Sequence, residues 1–215
     1  MINPYAANFC RKNMKSLIIS TDNMIDETCV PPYRLSKALS ITNKSERARS
    51  LCAGYLLGRA LKENSIPMDI EPEYNNGKPY YAGYPDFRFN LSHSGKYAAI
   101  VYNSEGIDVG IDIQEKRPYR SSLSRKVAGP KDTVTDILML WTIKEAYSKL
   151  TGRGIVMDFT KITYVNNRIE DLSGNVLAYA IVRENNDCYV CAVSKSEDVL
   201  NLTFDGFALA NNISL

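Results

Sequence analysis

Asp112, Glu145, Lys149 and His93 are the residues of this chain whose types and spacing best suit chemistry at a phosphate. They sit in three short blocks: FNLSHS (Phe89 to Ser94), VGIDIQ (Val109 to Gln114) and WTIKEAYSK (Trp141 to Lys149). Residues two apart on a strand share a face, so Asp108, Gly110, Asp112 and Gln114 should point the same way. Glu145 and Lys149 are four apart and share one face of a helix. Magnesium prefers hard oxygen ligands, commonly one or two carboxylates completed by substrate phosphates and water. Asp112 and Glu145, brought together by folding, would supply that pair, and the amide oxygen of Gln114 could add an uncharged donor. The plainer reading of Glu145 and Lys149 is an exposed ion pair contributing only about 0.3–0.5 kcal/mol. Trp141, one turn before Glu145, argues that this face is covered. GID occurs twice, at Gly106 and Gly110, so Asp108 competes with Asp112 for the ligand position. A glycine beside the carboxylate would also let a phosphate approach the backbone.

These blocks need strands and helices to hold them. SLIIS reads as a strand, and Pro31 and Pro32 close the region that follows. Asn43 with Glu46 signals a helix start, and apolar residues at helical spacing carry an amphipathic helix over residues 44–62. NNGKPYY (Asn75 to Tyr81) marks a turn before extended chain, and residues 86–113 read as strands broken at SHSGK and NSEG. Asp132 is expected to cap a second long helix that ends near Gly152. ITYV, a turn at Asn166-Asn167, LAYAIV and CYVCAV then follow as strands. One principal helix and several short strands in each half predict an α+β fold, without the βαβ alternation of a doubly wound sheet. The natural break is near residues 103–106, which gives subdomains of residues 1–105 and 106–215.

Composition bounds the function classes. The 215 residues are 45% hydrophobic and 23% charged, ordinary for a globular protein with a sizeable core. A net charge of +2 is too small to argue for nucleic acid as a partner. No run reaches transmembrane length and the start has no long apolar segment, so no membrane partner and a cytoplasmic location are expected. Five scattered cysteines, Cys10, Cys29, Cys52, Cys188 and Cys191, do not suit a disulfide framework. Cys188 and Cys191 form a lone CxxC within a strand-like run and read as core residues.

In order and spacing, the three blocks resemble those of the 4′-phosphopantetheinyl transferases, specifically the long single-chain Sfp type. Asp112 matches the aspartate of the family's GxD motif; Lys144, Glu145 and Lys149 match its WxxKExxxK block. The chain departs from the common pattern at Gln114, where Sfp-type enzymes usually carry glutamate; this implies a weaker or more water-rich metal site. The resemblance implies two similar subdomains related by pseudo-twofold symmetry, each a small antiparallel sheet packed with a principal helix and with the active site between them. It implies a monomer, since two halves already make one site.

The reaction implied moves 4′-phosphopantetheine from coenzyme A onto a serine of an acyl or peptidyl carrier protein, with Mg2+ as the cofactor. Asp112, Gln114 and Glu145 would hold the metal. Glu145 or a metal-bound water would deprotonate the serine, and Lys149 would offset charge on the leaving phosphate. Coenzyme A contacts carry over to Ser92, His93, Arg49 and Lys78, to Lys144 as a contact with phosphate or nearby chain, and more loosely to Arg34 and Lys37 ahead of the first long helix. The basic stretch between Gln114 and Trp141, with Lys116, Arg117, Arg120, Arg125, Lys126 and Lys131, would steer an acidic carrier. Two other readings use the same residues: a magnesium-dependent diphosphate hydrolase, and a non-catalytic protein that binds coenzyme A or the carrier.

Overall fold

The structure, a computed structural model, describes residues 14–154 and 157–206. Its elements run β1 (Lys15–Ser20), α1 (Pro32–Ser40), α2 (Lys44–Glu63), β2 (Glu73–Asn75), β3 (Lys78–Tyr80), β4 (Arg88–Ser94) and β5 (Tyr97–Asn103). They continue with β6 (Val109–Glu115), α3 (Ser122–Val127), α4 (Ile137–Thr151), β7 (Ile162–Val165), β8 (Arg168–Asp171), β9 (Val176–Glu184), β10 (Cys188–Ser194) and β11 (Phe204–Asp205). The expected α+β class is what is found. A four-stranded sheet in the order β11-β1-β5-β4 and a five-stranded sheet in the order β6-β10-β9-β8-β7 are antiparallel throughout, except that β1 and β11 run parallel. A small hairpin of β2 and β3 stands apart, turned at Asn76 and Gly77, both with positive φ.

Alternation along the strands builds the layers. In β5, Ala98, Ile100 and Tyr102 meet Leu56, Leu57 and Leu61 of α2, while Ala99 and Val101 face the other way. There they join Val109, Ile111 and Ile113 of β6 and Val190 and Ala192 of β10, so the two sheets share a central apolar layer. On the far side Cys191 and Val193 of β10 pack with Leu140, Ile143 and Ala146 of α4. The result is helix, sheet, sheet, helix. β5 and β10, buried along their whole length, are apolar on both faces for this reason. Cys188 and Cys191 are free thiols in different core layers, as expected of core cysteines; Cys10 lies outside the described residues.

Helix α2 begins where expected, with the Asn43 side chain accepting from the Glu46 amide at 3.0 Å. The expected cap of α4 is corrected. Asp136, not Asp132, takes the N-cap position and accepts from the amides of Leu138 and Met139, both at 2.9 Å. Asp132 lies four residues earlier, its side chain 5% exposed, with a different task described below. Gly152, in the left-handed region at φ 70°, ends α4.

Gly110 explains why α4 sits so close to β6. A Cβ there would collide with the carbonyl oxygen of Ala146 and lie 2.7 Å from the amide nitrogen of Leu150. The glycine therefore admits the backbone of α4. Gly110→Ala should push the helix away and cost about 1–3 kcal/mol of stability, measured by urea unfolding.

Candidate active site

Helix α4 presents Trp141, Glu145 and Lys149 as successive half-buried residues between fully buried neighbours, a stripe of four-residue spacing. Strand β6 lays Asp112 and Gln114 opposite this stripe, and β4 adds Leu91, Ser92 and His93. Together these residues line a cavity of about 290 Å³. Lys149 does not spend its charge on an exposed pair with Glu145. Its Nζ donates to Asp112 Oδ1 at 2.7 Å and to Ser92 Oγ at 2.8 Å, and Ser92 Oγ donates to Asp112 Oδ1 at 2.8 Å. Asp112 is 5% exposed. Asp108 lies elsewhere, its side chain half exposed and paired with Lys78 at 2.9 Å. Of the two GID aspartates, Asp112 is the one brought to Glu145 and Lys149.

Of the carboxylate oxygens lining this cavity, Asp112 Oδ2 and Glu145 Oε2 are buried with no hydrogen-bond partner among the described residues. An ionised oxygen without a partner is costly to bury. Burial raises the Asp112 carboxyl above its ordinary value, against the opposing pull of Lys149. Burial and then the Asp112 charge raise Glu145, with Lys149 again opposing. Two unpartnered carboxylate oxygens facing one small cavity are what a divalent cation would satisfy, and hard oxygen donors fit magnesium. Among the described residues no three His, Cys, Asp or Glu side chains gather to form an all-protein metal cage. Any such ion would have to draw its remaining ligands from Gln114, water or a bound phosphate.

The raised carboxyls have a consequence for stability. The folded metal-free protein holds these protons more tightly than the unfolded chain does. Their contribution is therefore full below the ordinary carboxylate value near 4 and is lost as pH rises through the raised folded values. Asp112→Asn should remove part of that loss, so its melting temperature should gain on the wild type as pH rises above about 4. Thermal unfolding without divalent metal reads the difference.

Other expected contacts divide. His93 stands at the cavity, held below its ordinary value by burial and by the charges of Arg49, Lys149 and Arg34. His93 and Lys149 line the cavity, while Arg34 and Arg49 lie near enough to His93 for their charges to act on it. Arg34 has a buried Nε without a partner, while Arg49 donates to the Gly95 carbonyl at 3.2 Å. Lys37 is exposed on α1. Lys78, tied to Asp108, lines a separate cavity of about 610 Å³ with Arg88, Tyr80 and Tyr81.

Lys144 requires a correction. It is 0% exposed, and its Nζ lies at hydrogen-bond distance from Asp132 Oδ2 and the carbonyls of Val127, Phe159 and Ile162, all within 3.0 Å. It points into the core, not at the cavity where Glu145 faces. On a helix, neighbours in sequence look about 100° apart, and that turn separates their roles.

Beyond Trp141 a second groove of about 470 Å³ continues from the first and shares Gln114 with it. Arg117, Arg120 and Lys126 line it together with Tyr119, Leu123 and Leu138. Part of the basic stretch therefore lines a groove next to the cavity. Lys116 turns away to pair with Glu184 at 2.9 Å. Sequence reasoning missed Ser94, whose hydroxyl accepts from the Gln114 side-chain amide at 3.0 Å. The period-two polar pattern of Asn90, Ser92 and Ser94 was its available signal.

No family model matches the chain. Curated proteins do. It is 33% identical over 130 residues to the 4′-phosphopantetheinyl transferase psf-1 of Bacillus pumilus, a match covering 54% of each chain. It is 29% identical over 143 residues to the 4′-phosphopantetheinyl transferase Sfp of Bacillus subtilis (strain 168), covering 59% of this chain and 62% of that one. It is also 30% identical over 145 residues to the L-aminoadipate-semialdehyde dehydrogenase-phosphopantetheinyl transferase of Pongo abelii, covering 54% of this chain and 47% of that one. The chain spans about half the length of the curated relatives it matches. It resembles the 4′-phosphopantetheinyl transferases, Sfp-type Bacillus proteins among them.

Proposed function

We propose that this chain transfers 4′-phosphopantetheine from coenzyme A to a serine hydroxyl of an acyl or peptidyl carrier protein, with magnesium as cofactor. The observation that carries the reading is the pair of unpartnered oxygens, Asp112 Oδ2 and Glu145 Oε2, facing one cavity beside Lys149. The relatives' names supply the chemistry in which such a site is used. Asp112 and Glu145 would hold the ion, assisted by Gln114, and the ion would supply charge neutralisation at the diphosphate.

The protein's own groups do the rest. Glu145 takes the proton of the carrier serine, whose oxygen then forms a bond to the β-phosphorus. The bond from that phosphorus to the bridging oxygen breaks, and adenosine 3′,5′-bisphosphate leaves. Lys149, once turned from Asp112 toward the phosphates, offsets the charge on the leaving group. Arg34, Arg49 and His93 bind coenzyme A phosphates, and Lys78 with Lys37 extends that surface. The reading assigns coenzyme A contacts to residues 1–105 and the metal and catalytic helix to residues 106–215 of a monomer. The basic and apolar groove around Arg117, Arg120 and Leu123 receives the carrier. Among the described residues no helix is long and apolar enough to cross a membrane, and the reading locates the reaction in the cytoplasm.

The test is to mix the protein with coenzyme A, magnesium and a panel of apo carrier proteins and weigh the carriers by intact mass spectrometry. A gain of one phosphopantetheine, lost when the acceptor serine is replaced by alanine, supports the reading. Coenzyme A cleavage without carrier modification would replace it with hydrolysis. Binding of coenzyme A without either product would replace it with a non-catalytic role.

A further inference from the structure

Where β4 and β6 meet, the two sheets are not joined by a backbone ladder; β4 offers side chains to the β6 amides instead. The Ile111 amide donates to Asn90 Oδ1 at 3.1 Å, that of Ile113 to Ser92 Oγ at 3.2 Å, and that of Glu115 to Ser94 Oγ at 3.1 Å. Steps of two on both strands keep the three bonds in register. At the two serines the arrangement goes further, and it repeats. Ser92 Oγ takes the amide of Ile113 and also binds the side chain of the residue before it, Asp112, at 2.8 Å. Ser94 Oγ takes the amide of Glu115 and also binds the side chain of the residue before it, Gln114, at 3.0 Å.

We propose that Ser92 and Ser94 are positioning residues, each clasping one amide of β6 and the preceding side chain, so that Asp112 and Gln114 are held toward the cavity. This rests on the cavity being the reaction site described above. The valence of Ser92 argues for the same role. Its single proton goes to Asp112, and its lone pairs receive Ile113 N and Lys149 Nζ. Its hydroxyl is 95% withdrawn from solvent with its residue and is fully engaged inside the protein. A coenzyme contact through that hydroxyl would require one of these bonds to break. For Gln114, the Ser94 bond engages the amide nitrogen, which orients the amide and leaves its oxygen as the donor atom for a cation. Groups that orient metal ligands commonly matter about 10- to 100-fold in metal affinity or activity.

The experiment uses the full chain and the variants Ser92→Ala, Ser94→Ala, Ser92→Thr and Ser94→Thr. Manganese alone serves as the metal probe, read by electron paramagnetic resonance, and coenzyme A binding is measured by calorimetry without metal. Each alanine variant should weaken manganese binding about 10- to 100-fold, Ser94→Ala should leave coenzyme A affinity unchanged, and each threonine variant should restore manganese binding. Weakened coenzyme A binding with intact manganese affinity in Ser92→Ala would overturn the proposal and make Ser92 a coenzyme contact. A second readout needs no ligand: in the metal-free protein, side-chain 15N relaxation of Gln114 and carboxyl 13C relaxation of Asp112 should show greater motion in the corresponding alanine variant. Unchanged motion in both would overturn it too. Phosphopantetheine transfer by the wild type is scored separately. A wild type that transfers nothing therefore counts against the reaction, while the relaxation result still decides the clasp.

Discussion

Glu145→Gln should reduce phosphopantetheine transfer by about 10²–10⁴-fold, the span expected when a general base is removed, while the protein stays folded. The substitution keeps the shape of the side chain and removes its charge and its capacity to take a proton. Glu145 Oε2 has no hydrogen-bond partner within the protein, so the fold gains nothing from that oxygen which glutamine would forfeit. Burial and the neighbouring Asp112 already raise its carboxyl, so the neutral amide relieves a cost. Unfolding midpoints of variant and wild type should accordingly be close, and the loss should appear in the rate at which carrier protein gains mass. Asp112→Ala should be as severe. Asp108→Ala should cost far less, because that side chain is half exposed and pairs, among the described residues, with Lys78 and Arg88 across the β3 and β4 ends. A robustly active, metal-dependent Asp112→Ala would mean that the reaction centre had been placed on the wrong carboxylate.

Lys144→Met carries the largest stability effect. Its ammonium is surrounded by one carboxylate and three carbonyl oxygens contributed from Val127, Asp132, Phe159 and Ile162. Asp132 in turn accepts from the amides of Gly129 at 2.5 Å and Tyr164 at 2.6 Å. One lysine thus ties α4 to the end of α3, to the loop before α4 and to the entry of β7. Burial pushes the ammonium below its ordinary value, while the bond and charge of Asp132 push it back. Methionine would fill similar space but leave Asp132 buried without its counter-charge and three carbonyls without a donor. Breaking such a pair from one side costs about 3–5 kcal/mol, a large share of the roughly 5–15 kcal/mol that holds a domain together. Urea unfolding should show it. The double variant Lys144→Met, Asp132→Asn should recover part of the loss, because the stranded charge is gone. A loss under about 1 kcal/mol would be ordinary for a surface lysine and would refute the buried staple.

Local signals carried well. Asn43 with Glu46, the Asn76-Gly77 and Asn166-Asn167 turns and the apolar runs of β9 and β10 all act over a few residues, and each lies where the pattern put it. Helix α1 escaped because Pro31 and Pro32 read as a break, although Pro32 occupies the first helical turn, where its missing amide costs nothing. Asp132 was misread as a helix cap for a related reason. An aspartate before an apolar run suits a cap, and nothing local says that a lysine twelve residues on will claim it. The site was legible in its parts: Asp112, Glu145 and Lys149 do meet. Which way adjacent Lys144 and Glu145 would face could not be read from their spacing alone, since both lie in one motif. The core claims the first and the cavity the second only once α3 and β7 have packed on α4.

The parallel pairing of β1 with β11, Ser16 beside Phe204 and Leu17 beside Asp205, bears on how the chain is made. A ribosome delivers α2, β4 and β5 early, and these can gather on one side of β1. The other edge of β1 waits for residue 204, roughly ten to forty seconds later at ordinary rates of synthesis. Through that interval an edge containing Leu17, Ile18 and Ile19 is open to pairing with any passing strand. Phe204, which also closes the central apolar layer, then covers that edge at Ser16 while Asp205 covers it at Leu17. Nascent chains stalled before that point should be the ones that chaperones hold longest.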